Sequence, residues 1–184
     1  MIAITKKNRA LKQLLWIGIG SISMFFAGLT SAYIVRKAEG NWTEIILPEW
    51  FLYSTIIIVI SSLTLVLAKN QIKKNIIPSN AVLFAFFLGM IFFFFQFKGW
   101  QSLVDQGIFL TGEGSNVAGS FLYVITLAHL AHLIGGLVVL IITLFKCKRM
   151  QYNKDSHLGM SLGFTYWHFL TILWIYLFFF LKYL

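Results

Sequence analysis

The chain has 184 residues, of which 59% are hydrophobic and only 11% are charged. Soluble domains usually carry about 25% charged residues, so a chain this apolar cannot cover its surface in water, and lipid must be the solvent for much of it. The net charge is +9, but the basic residues form short clusters between apolar runs, and no basic stretch is long enough to bind nucleic acid.

Five segments are long and apolar enough to cross a membrane, which takes about 20 mostly apolar residues in a helix. In chain order they cover residues 11–35, 50–68, 81–97, 117–145 and 158–181. Each run is continuously apolar, whereas the strands of a membrane barrel would alternate and be about ten residues long. The sequence therefore predicts an all-α integral membrane bundle of five transmembrane helices, forming one domain over residues 1–184.

The basic residues between these helices are distributed unevenly. Eleven of them lie in the N-terminal tail and in the second and fourth loops, and four lie on the opposite side, namely Arg36, Lys37, Lys98 and Lys182. Five of the six acids lie on that poorer side, namely Glu39, Glu44, Glu49, Asp105 and Glu113. Because loops rich in lysine and arginine stay in the cytoplasm, we predict a cytoplasmic N-terminus and a C-terminus outside.

The few polar groups within the apolar runs are expected to have a structural or functional role, because burying them in a membrane is costly. His129 and His132 are three residues apart and share one helix face, and His168 lies on the next helix. Three imidazoles are able to bind zinc, copper or haem iron, or to hydrogen-bond between helices. No Asp or Glu lies deep in a span to orient metal ligands, so the residues favour the structural role. The absence of deep charges and internal repeats also argues against a transporter.

Several blocks of sequence occur in a fixed order between Ser21 and Phe178. They are Met24-Phe25-Phe26-Ala27-Gly28 with Ala32-Tyr33; Leu88-Gly89 with Gln96 and Trp100; Gly107-Ile108-Phe109-Leu110 with Ser120-Phe121 and His129-x-x-His132-x-x-x-Gly136; and Tyr166-Trp167-His168-Phe169 with Trp174. In this order the blocks resemble the cytochrome c oxidase subunit III family of haem-copper oxidases. Members often have seven helices; this chain is similar to the last five, as in the shorter bacterial form.

The resemblance implies a non-catalytic accessory subunit of a respiratory terminal oxidase in a bacterial inner membrane. Such a subunit would stabilise subunit I, where dioxygen is reduced to water, and support proton uptake in aerobic electron transport. It would have no catalytic centre of its own and bind no haem or copper, both of which are expected in partner subunits. The implied partners are oxidase subunits I and II, membrane lipids including a bound phospholipid, and a larger supercomplex with a cytochrome c reductase, but no nucleic acid.

Two alternatives remain at this point. The first is subunit III of a quinol oxidase, because the subunit holds no electron-donor site that would distinguish the two. The second is a free-standing membrane electron carrier that binds haem through its histidines.

The resemblance also assigns residues, as structural, lipid or subunit contacts and not as catalytic, cofactor or metal-binding groups. They are Gly28, Tyr33, Gln96, Trp100, His129, His132, Gly136, Tyr166, Trp167, His168 and Trp174. The chain departs from the family where buried carboxylates are frequent: it has Ile22, Gly99 and Thr171 instead. The resemblance therefore carries over no carboxylate that could hold a proton inside the membrane.

Overall fold

A computed structural model describes residues 2–40, 42, 44–74, 76–112, 115–149 and 158–184. Over these residues the chain is all-helical. The five helices are α1 (Ile2–Ala38), α2 (Glu49–Lys73), α3 (Ser79–Asp105), α4 (Val117–Lys148) and α5 (Leu158–Tyr183). All five are long and apolar enough to cross a membrane, which confirms the predicted fold class.

The helices α2 to α5 form a ring. In this ring α2 packs against α3 and α5, and α4 packs against α3 and α5. The first helix, α1, lies outside the ring and packs against α4 and α5. The ring therefore contains most of the buried core of the protein. The first helix, α1, is the most exposed of the five helices.

The outer surface of every helix is apolar. Large side chains that are half or more exposed occur on each of them, for example Ile17, Leu63, Phe87, Leu127 and Ile172. In water such a surface would be unfavourable, but in a bilayer it contacts hydrocarbon and costs nothing.

The third helix is longer than the apolar run that predicted it. The run ends at Phe97, but α3 continues to Asp105, because helical hydrogen bonds do not require apolar side chains. The helix ends where Gly107 adopts a φ of 77°. The Gly107 N–H donates to the Val104 carbonyl (2.9 Å) and the Ile108 N–H to the Leu103 carbonyl (3.0 Å), the hydrogen bonds of a Schellman motif.

The fourth helix begins at a side-chain cap. The Asn116 side-chain oxygen accepts a hydrogen bond from the Gly119 N–H at 2.6 Å, as an N-cap asparagine commonly does. This cap marks where α4 starts. Of the charges used to predict orientation, Glu113 and Lys154 lie outside the described residues.

Candidate functional site

Several polar side chains inside the bundle form pairs between neighbouring helices, and the pair of Trp100 and Thr126 joins α3 to α4. The indole N–H of Trp100 donates to the Thr126 hydroxyl oxygen at 3.0 Å. That hydroxyl in turn donates to the Leu122 carbonyl of its own helix at 2.9 Å. A hydroxyl has one donor and two acceptor sites, so Thr126 satisfies its own helix and its neighbour at once.

The same arrangement joins α2 to the helices on both sides of it. The Trp174 indole of α5 donates to the Thr55 hydroxyl at 2.9 Å, and the Gln96 amide of α3 donates to the Ser54 hydroxyl at 2.9 Å. Both hydroxyls donate to the carbonyl of Phe51 in their own helix, at 2.7 and 2.8 Å. The adjacent residues Ser54 and Thr55 therefore link α2 to α3 and to α5.

Two further pairs involve the last helix. The Tyr176 hydroxyl donates to the Thr30 hydroxyl oxygen at 3.1 Å, which joins α5 to α1. His168 Nδ1 lies 2.6 Å from the Ser62 hydroxyl oxygen of α2. His168 is thus engaged with α2.

His129 lies fully buried among aromatic rings. Its ring centroid is 5.0 Å from that of Trp174, 6.1 Å from Phe92 and 6.4 Å from Phe26. Neither ring nitrogen has a hydrogen-bond partner among the described residues. Phe92 and Phe26 meet the imidazole edge to face, at 70° and 66°, a geometry in which an aromatic face can accept a weak N–H contact.

His132 faces the first helix. Its Nδ1 lies 2.7 Å from the Ala128 carbonyl, one turn earlier in α4, so this nitrogen carries the proton and donates. Its ring packs against Phe25 and Phe26 of α1, at 6.2 and 5.7 Å. The backbone carbonyl of His132 accepts a hydrogen bond from Tyr166 at 3.3 Å.

The three imidazoles therefore have three separate surroundings: an aromatic box, the face of α1 and a hydroxyl of α2. Across the described residues, no three His, Cys, Asp or Glu side chains lie close enough to hold one metal ion. His132 packs against α1 and His168 lies beside a hydroxyl of α2, whereas His129 meets its neighbours only through ring contacts.

Trp167 fills the centre of the bundle and depends on two glycines. A Cβ added to Gly89 would lie 2.8 Å from the Trp167 ring, and one added to Gly136 would lie 3.0 Å from it. Real Cβ atoms rarely approach this closely, so the buried indole fits only because both positions lack a side chain. Gly136, one of the assigned residues, thus leaves room on α4 for the Trp167 ring.

The remaining assigned residues are divided between the core and the surface. Tyr33 is buried and packs edge to face on Trp42 at 4.7 Å and on Phe180 at 5.1 Å. Gly28 is exposed, and a Cβ there would meet nothing within 4 Å. Gly28 consequently takes no part in packing within the described chain.

The sequence interpretation missed the hydroxyl partners. Ser54, Thr55, Ser62 and Thr126 accept or share the hydrogen bonds of assigned residues, yet none of the four was singled out. Their signal in the sequence is weak, because serine and threonine are tolerated anywhere in a membrane helix when they bond to their own backbone. Only the facing helix reveals which of them has a second partner.

Replacing Thr126 with valine tests whether these pairs stabilise the bundle. The variant keeps the shape but leaves the Trp100 N–H without an acceptor, so we expect a loss of about 1 kcal/mol in the free energy of unfolding. The matched control is Thr165→Val, because Thr165 donates only to the Ser161 carbonyl of its own helix. Unfolding of both variants by denaturing detergent measures the difference, and equal stability of the two would contradict the role of the pair.

Comparison with known proteins finds one matching family and several relatives of this chain. A family model described as "Cytochrome c oxidase subunit III" matches residues 41–184. A protein of Nocardia farcinica named "Probable cytochrome c oxidase subunit 3" is 30% identical, over 96% of this chain and 92% of the relative. Proteins named "Cytochrome c oxidase subunit 3" from Corynebacterium diphtheriae (26% identical, over 96% of this chain and 92% of the relative) and Thermostichus vulcanus (27%, over 86% and 79%) are also similar.

Proposed function

Because this chain belongs to the cytochrome c oxidase subunit III family, and is thus a component of a multi-subunit oxidase, we propose that it is a non-catalytic subunit that stabilises subunit I. The observation that carries this proposal is the engagement of its polar groups. Trp100, Trp174 and Gln96 each donate a hydrogen bond to a hydroxyl of a neighbouring helix. Such side chains give a rigid bundle with an apolar outer surface, which suits a subunit that acts by packing.

Haem and copper would then be held by the partner subunits. The placement of the histidines supports that assignment, because His129, His132 and His168 lie in three separate surroundings and do not converge on one site. His129 is enclosed by aromatic rings, and no carboxylate of the described residues lies beside it to orient a metal ligand. Supporting proton uptake would be an indirect effect of holding subunit I in its working conformation.

We further propose a bacterial inner-membrane location with a cytoplasmic N-terminus, on the basis of the uneven lysine and arginine distribution. Cytochrome c is the favoured electron donor, because the relatives carry that name. A quinol oxidase is the alternative. Assays of the purified complex with reduced cytochrome c and with quinol distinguish the two.

Purification of a tagged chain from its own membranes tests the assignment of partners. We expect subunits I and II to copurify with it and the haem absorption to follow subunit I. The matched sample is the tagged chain expressed without those subunits, which should show no Soret band. A stoichiometric Soret band in the isolated chain would support a haem-binding carrier instead and overturn the proposal.

Deleting the chain should shorten the working life of the oxidase more than it lowers the initial rate. If the subunit acts by stabilising subunit I, an assembled complex without it reduces dioxygen at nearly the normal rate at first and then loses activity within fewer turnovers. Oxygen consumption followed over many turnovers measures both quantities. Immediate loss of all turnover in an otherwise assembled complex would contradict a stabilising role.

A further inference from the structure

The outer side of α5 carries an imidazole at an open position. His168 is partly exposed, and Ile172, one turn further along the same helix face, is 66% exposed. His168 meets α2 at Ser62, whereas Ile172 lines a hollow between α1 and α5. The helices α1 and α2 both pack against α5 but make no contact with each other among the described residues. The face of α5 that holds His168 and Ile172, which we call the open strip, therefore lies between them on the outside of the ring.

The open strip lies near the middle of the membrane span. His168 is ten residues from the start of α5 at Leu158 and fifteen residues from its end at Tyr183. At about 1.5 Å per residue these separations are about 15 and about 22 Å, and the hydrocarbon core of a bilayer is about 30 Å thick. Acyl chains at this depth have no hydrogen-bonding group, so lipid cannot satisfy a polar atom there.

The contact with Ser62 determines which nitrogen of His168 carries the proton. The Ser62 hydroxyl oxygen lies 2.6 Å from His168 Nδ1, and this is the only hydrogen bond of that hydroxyl among the described residues. A hydroxyl has one hydrogen to donate, so Ser62 donates it to Nδ1. An imidazole at this depth is neutral, because a charge inside a membrane is costly. A neutral imidazole that accepts at Nδ1 has its proton on Nε2.

The N–H of His168 Nε2 is thus a donor without a partner among the described residues. The ring nitrogens that are both unpartnered and fully enclosed are those of His129, and Nε2 of His168 is not one of them. His132 presents no such donor, because its proton lies on Nδ1 and is bonded to the Ala128 carbonyl. An N–H that faces hydrocarbon without an acceptor is strongly unfavourable, so the open strip requires an acceptor that lipid does not supply.

We propose that the open strip is the docking surface for a transmembrane helix of another oxidase subunit, which places a hydroxyl or amide acceptor opposite His168 Nε2. The inference rests on the proposed function, because it requires a multi-subunit complex. The apolar side chain of Ile172 packs against the same helix. Ser62 acts as a positioning residue, since its hydroxyl keeps the proton of the imidazole on the outward nitrogen.

Two amide variants separate the inward nitrogen of His168 from the outward one. The amide of His168→Asn reaches about as far as Nδ1, toward Ser62, and the amide of His168→Gln about as far as Nε2. We expect a tagged His168→Gln chain to retain the partner subunit through detergent washing as the wild-type chain does. The His168→Asn chain should retain about fivefold less, the scale of one interhelical hydrogen bond in a membrane. Equal retention by the two variants would overturn the proposal.

Thr165→Val is the matched control for these variants. Thr165 lies one turn before His168 and donates only to the Ser161 carbonyl of its own helix, so this variant should retain the partner subunit fully. Ser62→Ala should lower retention as His168→Asn does, because the proton is no longer held on Nε2. Unfolding of each variant chain expressed alone shows that it is folded. A loss of the partner from Thr165→Val as large as that from His168→Asn would contradict a specific role of Nε2.

A photoreactive side chain identifies what covers the open strip while leaving His168 unchanged. In the assembled complex, p-benzoylphenylalanine introduced at Ile172 should crosslink to a membrane helix of another subunit. Crosslinks to lipid alone, or to a second copy of this chain, would overturn the proposal even where subunits I and II copurify normally. If those subunits fail to copurify with the wild-type chain, the proposed function is overturned, and this inference with it.

Discussion

Replacing Gly89 with valine is expected to destabilise the bundle by about 3 kcal/mol, the upper range for overpacking a well-packed core. The added Cβ would lie 2.8 Å from the Trp167 ring and 2.9 Å from a Leu137 methyl group. Both neighbours are buried, so neither can move into open space. The loss should be measured as a decrease in the free energy of unfolding of the purified chain in detergent.

Gly28→Val is the matched control for this prediction. Gly28 also lies in the middle of a membrane helix, but a Cβ there meets nothing within 4 Å. Its stability should therefore stay within about 0.5 kcal/mol of the wild-type value, as for surface substitutions in general. Equal destabilisation by the two variants would mean that helix propensity, and not contact with Trp167, decides the result.

Replacing His129 with lysine should prevent stable folding, whereas leucine should be tolerated. A lysine there would place an ammonium among Phe26, Phe92 and Trp174, and an unpaired charge at the centre of a membrane helix costs about 3 kcal/mol or more. Leucine is of similar size and removes two ring nitrogens that have no partner among the described residues. It loses only the ring contacts, worth about 1 kcal/mol.

The two variants at position 129 are compared by the amount of folded chain and by the haem and copper content of the assembled oxidase. We expect the leucine variant to assemble with unchanged haem and copper. If that variant assembled normally but lost a metal or a haem, His129 would be a ligand and the aromatic-box interpretation would be wrong.

The number of helices and their approximate positions could be predicted from the sequence, because hydropathy is a local property. The end of α3 could not be predicted from hydropathy. It lies at Asp105, beyond the polar residues Lys98 and Gln101, since a Schellman motif at Gly107 ends the helix. Hydropathy measures which residues prefer lipid, and a helix that leaves the membrane keeps its backbone hydrogen bonds.

The candidate site could be predicted only in part. His132 and His168 were expected to contact other helices, and the structure places them against α1 and α2. Their partners could not be identified from one sequence, because Ser62 has no local feature that separates it from other hydroxyl residues of membrane helices. Pairing depends on which faces meet, and that is a long-range property of the fold.

The amino-acid sequence by itself therefore indicated that lipid surrounds much of this protein, that it has five long helices and which family it resembles. These follow from composition, from continuous apolar runs and from ordered motifs, all of which exist before the chain folds. The tertiary structure alone decided which hydroxyl accepts the hydrogen bond of each indole or amide and why Gly89 and Gly136 must lack side chains. The physical reason is that hydrogen bonds, close packing and charge complementarity act over a few ångströms between residues that are distant in the chain.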